Sequence, residues 1–308
     1  MAEHSATQMP DIIEHIAHVP KGSCSKTREM MLLVCRCWRK AVKDSATTLG
    51  CSFIDLYDGI QIPTGMDHIR TLSIGIGNSS PIDPIPMPVL FKFTQLHRLE
   101  MDFSCANAQL FVPSEILGIQ SLRELHIDEP TLKSLDVISG ATQLTSLSLN
   151  GLYITKREGC SIQELSGLTG LRDLSIGQIT LLHHDRTHNT SLYDLNHLST
   201  LVHLTRLSLS DDGYPAVLEP ITRNFTALEV LRYNTYFGAW PFARDISPLS
   251  ACAANLRELT WTNSDISDIS PLTTLTRLEK VNLSGSYNLS KESLRILSGL
   301  SALVIWDD

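Results

Sequence analysis

The side chains best suited to chemistry gather in two places. Val34 to Val42 reads VCRCWRKAV, with Cys35 and Cys37 one residue apart and Arg36, Arg39 and Lys40 around Trp38. His183 to His188 reads HHDRTH, imidazoles with Asp185 between them. Thiolates and imidazoles ligate zinc and its neighbours, and a nearby carboxylate can complete the set. The spacings argue the other way. C-x-C lacks the C-x2-C knuckle of common structural zinc sites, even with His15, His18 and Cys24 to draw on, and it is not the C-x-x-C of a thioredoxin-like redox centre. Adjacent histidines do not by themselves converge on one ion. The chain also has no Gly-rich phosphate loop, nucleophile elbow or H-E-x-x-H. The expectation is a protein that is not an enzyme and uses no cofactor or metal. A metal site at His183–His188 stands as the alternative to an exposed polar loop.

Composition bounds what can position such residues. The 308 residues, 43% hydrophobic with 14 prolines and 17 glycines, describe a chain that folds around a sizeable core. No run of about 18 apolar residues is present to span a bilayer. The first twenty residues carry acids and histidines where a signal peptide needs a basic and then an apolar stretch. A cytoplasmic or nuclear protein with no membrane partner is expected. The seven cysteines are odd in number and scattered, as free thiols in a reducing compartment are. Residues 1–50 carry seven Lys/Arg against five Asp/Glu, and the rest carry 18 against 28, so a net +2 and a net −10 make up the total of −8. Nucleic-acid affinity comes mainly from lysine and arginine displacing counterions, so an acidic body excludes nucleic acid from the expected partners.

One spacing recurs ten times: IRTLSI from Ile69, LHRLEM from Leu96, LRELHI from Leu122, LTSLSL from Leu144, LRDLSI from Leu171, LTRLSL from Leu204, LEVLRY from Leu228, LRELTW from Leu256, LEKVNL from Leu278 and LSALVI from Leu300. The intervals are 27, 26, 22, 27, 33, 24, 28, 22 and 22 residues, and the longest holds His183–His188. Self-similarity at such a period marks one supersecondary unit per copy. The alternation within LxL puts residues such as Leu147 and Leu149 on one face of a short strand and Ser146, Ser148 and Asn150 on the other. No single copy can bury its apolar face, so copies must stack. In DISDISPLTTLTRL, Ser270 is placed to cap and Pro271 to open a helical turn, with Leu272 and Leu275 inward. RDISPL at Arg244 to Leu249 repeats the device, and SIQEL at Ser161 has capping-box spacing.

This pattern resembles the leucine-rich repeat, and the DISPL segments look like the short repeats of internalins and of a phosphatase regulatory subunit. The resemblance implies an α/β leucine-rich-repeat solenoid. Its curved parallel sheet should have ten or eleven strands with short helical or irregular convex returns, and CSFIDL at Cys51 to Leu56 is the candidate leading strand. The family's asparagine falls on Ser104, Asp212, Ser264 and Ser286 here, but also on Pro130, Leu152, Ile179 and Tyr236. The expected solenoid is therefore irregular on that side.

Residues before about 50 do not repeat, and their apolar pattern is helical. MPDIIEHIAHVP followed by MMLLVCRCWRKAV resembles an F-box, a docking domain for a Skp-type adaptor, with Met9 where leucine is usual. The resemblance implies an adaptor-binding surface from Pro10, Ile12, Ile13, Ile16, Val34 and Trp38. The alternative is a helical cap on the first repeat. The expected organisation is a flexible 1–8, a small helical domain at 9–48 and a solenoid at 49–308. Target binding is expected on the concave face, through Arg98, Glu100 and Asp102, then Glu124, His126 and Asp128, then Asp173. Beyond a serine-rich middle the candidates are Arg206, Arg232, Asn234, Glu258 and Lys280. That surface reads acidic in its first half and basic in its second. The function expected is that of a monomeric substrate receptor of a cullin–RING ubiquitin ligase, with adaptor, cullin and a protein target as partners. The alternative is a free-standing scaffold or regulator, for example of a phosphatase.

Overall fold

The computed structural model describes residues 47–52, 68–75, 88–103, 114–128, 131–132, 135–154, 162–177, 179–181, 195–211, 218–235, 245–252 and 254–306. The F-box-like residues, Pro10 to Trp38, and the His183–His188 segment lie outside them.

One strand from each repeat joins a single parallel sheet. Its early members are β1 (Thr48–Ser52), β2 (Thr71–Gly75), β3 (Arg98–Asp102) and β4 (Glu124–Asp128). Three shorter strands, β5 (Thr131–Leu132), β7 (Leu152–Ile154) and β9 (Ile179–Leu181), interleave with β6 (Ser146–Asn150) and β8 (Asp173–Ile176). The series continues with β10 (Arg206–Asp211), β11 (Val230–Thr235), β12 (Glu258–Thr262), β13 (Lys280–Asn282) and β14 (Leu303–Ile305). The main sheet is eleven-stranded and unclosed, in the order β1-β2-β3-β4-β6-β8-β10-β11-β12-β13-β14. This is the expected solenoid architecture. Its leading strand, β1, starts three residues before the expected CSFIDL, because Leu49 is the residue in register with Leu72.

Register aligns the apolar positions into continuous rows. Leu72, Leu99, Leu125, Leu147, Leu174, Leu207, Leu231, Leu259 and Val281 are lateral neighbours, all buried. A second row runs from Ile74 through Met101, Ile127, Leu149, Ile176 and Leu209 to Tyr233 and Trp261, whose rings lie 4.5 Å apart between centroids. The entry leucines of the repeats and the return residues, such as Leu165, Leu168, Leu272 and Leu275, close the core from the other side.

Where each chain enters the sheet, one carbonyl accepts two amides from the next repeat. The Arg70 carbonyl takes His97 and Arg98 (2.7 and 2.9 Å), His97 takes Arg123 and Glu124 (2.8 and 2.8 Å), and Arg123 takes Thr145 and Ser146 (2.8 and 3.0 Å). The same pairing recurs at Thr145, Arg172, Thr205, Glu229 and Arg257.

The returns are mostly single 3-10 turns, such as Ile162–Gly167, Ser247–Cys252 and Ser270–Thr274. Among the described residues, other returns use short α-helices, at Asp136–Ser139, Leu218–Asn224 and Lys291–Gly299. The DIS segments differ from the expected cap. Ser270 does not cap; its amide donates to the Asp268 carboxylate at 2.8 Å, as the Ser247 amide does to Asp245 at 2.8 Å. An aspartate accepting from the amide two residues on is an Asx turn, and it fixes the chain before proline opens the helix. The Ser247 hydroxyl and amide hold the Asp245 carboxyl below its usual range, so its stabilising effect is lost as pH falls through that lowered value.

The expected irregularity has a definite form. Leu152 and Ile179, which stand where the ladder asparagine would, begin β7 and β9, and β7 pairs in parallel with β5 on one side and β9 on the other as a second, three-stranded sheet. Where serines stand instead, at Ser264 and Ser286, the two hydroxyls are buried 2.9 Å apart. Between β8 and β9 the backbone of Gly177 packs so closely that a Cβ there would meet Asn150 Cα at 2.8 Å and the Gly151 amide nitrogen at 2.9 Å.

Replacing Leu147 by alanine, at the centre of the leucine row, should cost about 2–5 kcal/mol in urea unfolding. Gly177→Ala should cost about 1–3 kcal/mol because backbone blocks the new methyl. Gly167→Ala, whose added Cβ meets nothing nearer than 3.7 Å, should stay within about 0.5 kcal/mol. Burial pushes the Cys252 thiol up to about 11, so peptide mapping should find it alkylated at neutral pH only after unfolding.

Candidate functional site

The face of the sheet opposite the core is built from the residues between the leucines. Every position proposed for target binding from the sequence falls on it, in three lateral rows set by register. The first row runs Arg98, Glu124, Ser146, Asp173, Arg206, Val230, Glu258, Lys280. The second runs Ser73, Glu100, His126, Ser148, Ser175, Ser208, Arg232, Thr260, Asn282, and the third contains Asp102, Asp128, Asn150, Ser210, Asn234 and Thr262.

Register also decides which charges meet. Arg98 donates from Nε to Glu100 at 2.7 Å and from Nη1 to Glu124 at 2.9 Å, bridging two carboxylates on two strands. Arg206 Nε lies 2.8 Å from Asp173 and Arg232 Nη2 lies 3.3 Å from Glu258. Each of these three arginines is thus held by a carboxylate of an adjacent strand or of its own, and the simple division into an acidic and a basic half is softened. Over β3 to β6 the outward positions carry Arg98 against Glu100, Asp102, Glu124 and Asp128, a net of −3. Over β8 to β13, Asp173 and Glu258 stand against Arg206, Arg232 and Lys280, a net of +1. The hydrogen bonds that Arg98 donates to Glu100 and Glu124 raise its pKa, and the bond that Arg206 donates to Asp173 does the same for Arg206. Burial would raise the Glu100 carboxyl, but bonds from Arg98 and Ser73 outweigh it and hold it below its usual range.

His126 stands apart. It is half-buried, and its Nε2 is enclosed with no hydrogen-bond partner among the described residues. Burial first, then the Arg98 charge, hold the imidazole below its usual range against the pull of Glu100, Glu124 and Asp128, so it is neutral at pH 7. Its neighbour in register, Ser148, is only 7% exposed, and its hydroxyl also has no hydrogen-bond partner among the described residues. Left unpaired, the enclosed His126 Nε2 costs about 1–3 kcal/mol.

Two polar contributors were not among the target-binding candidates, although the alternation had already turned Asn150 outward. Asn150 donates from Nδ2 to Asp128 at 2.8 Å, and Thr262 donates to Asn234 at 2.9 Å. Their signal was their place two residues beyond the row of serines and threonines. The apolar residues on the last strand, Leu303 (64% exposed) and Ile305 (38%), also break the polar pattern. Among the described residues no three His, Cys, Asp or Glu side chains are grouped to hold a metal ion, and no helix is long and apolar enough to cross a membrane.

No family model matches the chain. A putative disease resistance protein of Arabidopsis thaliana is 27% identical over 199 residues, which are 60% of this chain and 20% of that protein, so the chain spans about a fifth of the relative's length. Among solved structures, an internalin (InlF) of Listeria monocytogenes superposes with a TM-score of 0.54 at 19% identity, covering 80% of this chain and 69% of that one. A leucine-rich-repeat protein of Leptospira interrogans superposes at 0.51 with 16% identity, covering 79% and 55%.

Both side chains of the Arg206–Asp173 pair are partly solvated, and such pairs contribute about 0–1 kcal/mol. Asp173→Asn should therefore shift the urea midpoint by less than about 1 kcal/mol in free energy. A larger loss would mean that the face is part of the scaffold.

Proposed function

We propose that this leucine-rich-repeat chain is a protein-recognition receptor whose polar sheet face binds an extended segment of a partner protein. The observation that carries this reading is the set of three rows of polar and charged side chains fixed on one rigid parallel sheet. Such a surface loses little entropy on binding, and the serine floor is shallow, which suits a peptide strand better than a small molecule needing a deep apolar cavity. Complementary charge then sets specificity and association rate more than raw affinity. The likeness to a putative disease resistance protein supports recognition as the task. The residues assigned to the contact are Arg98, Glu100, Asp102, Glu124, His126, Asp128, Asp173, Arg206, Arg232, Asn234, Glu258 and Lys280.

The finer reading joins this face to the N-terminal segment. Residues 9–48 dock a Skp-type adaptor through Pro10, Ile12, Ile13, Ile16, Val34 and Trp38. The chain then presents its captured protein to a cullin–RING ubiquitin ligase, and the transfer chemistry belongs to its partners. The support is the F-box-like order of residues in the sequence. Without adaptor binding, the chain is a free-standing scaffold using the same face.

Two measurements test these layers separately. Proximity labelling should lose partners when Glu100 and Asp102 are changed to lysine, or Arg206 and Arg232 to glutamate; an unchanged partner set in both variants overturns the recognition surface. Wild-type chain should co-purify with adaptor and cullin, and Ile13→Asp with Trp38→Ala should abolish this while circular dichroism of the repeats is preserved. A folded wild-type chain that retains no adaptor leaves the scaffold reading.

A further inference from the structure

The polar face contains two neighbouring hydrogen-bonding groups that the fold does not use, and the first of them is fully enclosed. His126 Nε2 and the Ser148 hydroxyl are lateral neighbours on β4 and β6, and neither has a partner among the described residues. Elsewhere on the face register pairs several of the polar groups, as in Arg206 with Asp173 and Thr262 with Asn234. The two orphans sit where the outward positions carry a net −3, beside Glu100 on β3 and between Glu124 and Asp128 on β4. We propose that His126 and Ser148 form the docking point for an arginine side chain of the partner's extended segment, with Glu124 and Asp128 supplying the countercharge. This rests on the recognition reading above and deepens it by naming the chemistry recognised.

The ligand class follows from the groups present. With its proton on Nδ1 the neutral imidazole offers Nε2 as an acceptor, the serine hydroxyl offers another, and the carboxylates only accept. The complement is a cation with several donors in a plane. A guanidinium presents five N–H groups in a fixed fork and is weakly hydrated, so it crosses from water to a half-enclosed surface at less cost than an ammonium. Adjacent strands lie about 4.8 Å apart, so Glu100, His126 and Ser148 span about 10 Å. That is the reach of one long side chain and the peptide carrying it. An anion is disfavoured because Arg98, the cation nearest the pair, is already engaged by Glu100 and Glu124.

Protonation of His126 opposes such a guest, because Nε2 becomes a donor and one countercharge is cancelled. The charged groups facing the ring are Arg98 and Glu100 from β3 and Glu124 and Asp128 from its own strand; β6 presents only Ser146, Ser148 and Asn150. Affinity is therefore constant near neutrality and falls as pH drops through the lowered His126 value.

The test uses the purified full chain and fluorescence anisotropy with an acetylated, amidated octapeptide of alternating arginine and serine. The isosteric citrulline peptide removes the charge and keeps the shape. Expected results are tenfold or weaker binding of the citrulline peptide, a fivefold or greater loss in Ser148→Ala and His126→Leu, and retained binding without the acid-side loss in His126→Gln. Equal binding of the two peptides, unchanged affinity in both His126→Leu and Ser148→Ala, or an acid-side loss that persists in His126→Gln would overturn the proposal. If the charge-reversal variants lose partners while the arginine peptide shows no preference, only this inference falls. If they keep every partner, the recognition surface falls with it.

Discussion

The shared carbonyl at the entrance of each strand is the constraint on which the rest depends. From Arg70 to Arg257 it accepts two amides of the following repeat, so no repeat satisfies its own backbone. Parallel strands must then lie side by side in exact register, and the side-chain period of two converts that register into rows. Leucine stacks on leucine inside, and every outward residue meets the equivalent residue of its neighbours. Charge pairing on the open face is a consequence of this. Arg98 reaches Glu124 because their backbones are paired, although 26 residues of chain separate them.

This explains what could be read from the chain in advance. The spacing of apolar residues fixes both strand and face, and positions such as Leu147, Leu272 and Glu124 followed from it. A local alternation and a simple count suffice for that. The turns were harder. In DISPL the serine has the composition of a cap, but the aspartate two residues earlier has the longer reach, and it takes the amide at Ser247 and Ser270. Composition names the candidates, and geometry chooses among them. The small second sheet was legible only as a gap, since absent asparagines at Leu152 and Ile179 do not say what replaces their bonds. The neutralisation of Arg206 and Arg232 was invisible because it depends on which residue of the next strand lies opposite.

The open face shows how a repeat architecture separates stability from recognition. The inward rows exclude water and carry the folding free energy, while outward side chains interact across solvent, where ion pairs contribute little. That leaves the outward positions free to vary. His126 and Ser148 are the exception: the imidazole is half-buried with its Nε2 enclosed and unpaired, Ser148 beside it is only 7% exposed, and both keep an unmet hydrogen-bonding capacity.

The second sheet gives the molecule an uneven mechanical profile. In an array of identical units, opening starts at the ends, where each unit has one neighbour, and moves inward. The three repeats that include β4, β6 and β8 are sewn together twice, once along the main sheet and again through β5, β7 and β9. Amide exchange should consequently be slowest near Leu147 and Leu174 and quicken toward β1 and β14. The array behaves less like a uniform spring than like a rod with a clamped midsection, and that midsection carries His126 and Ser148.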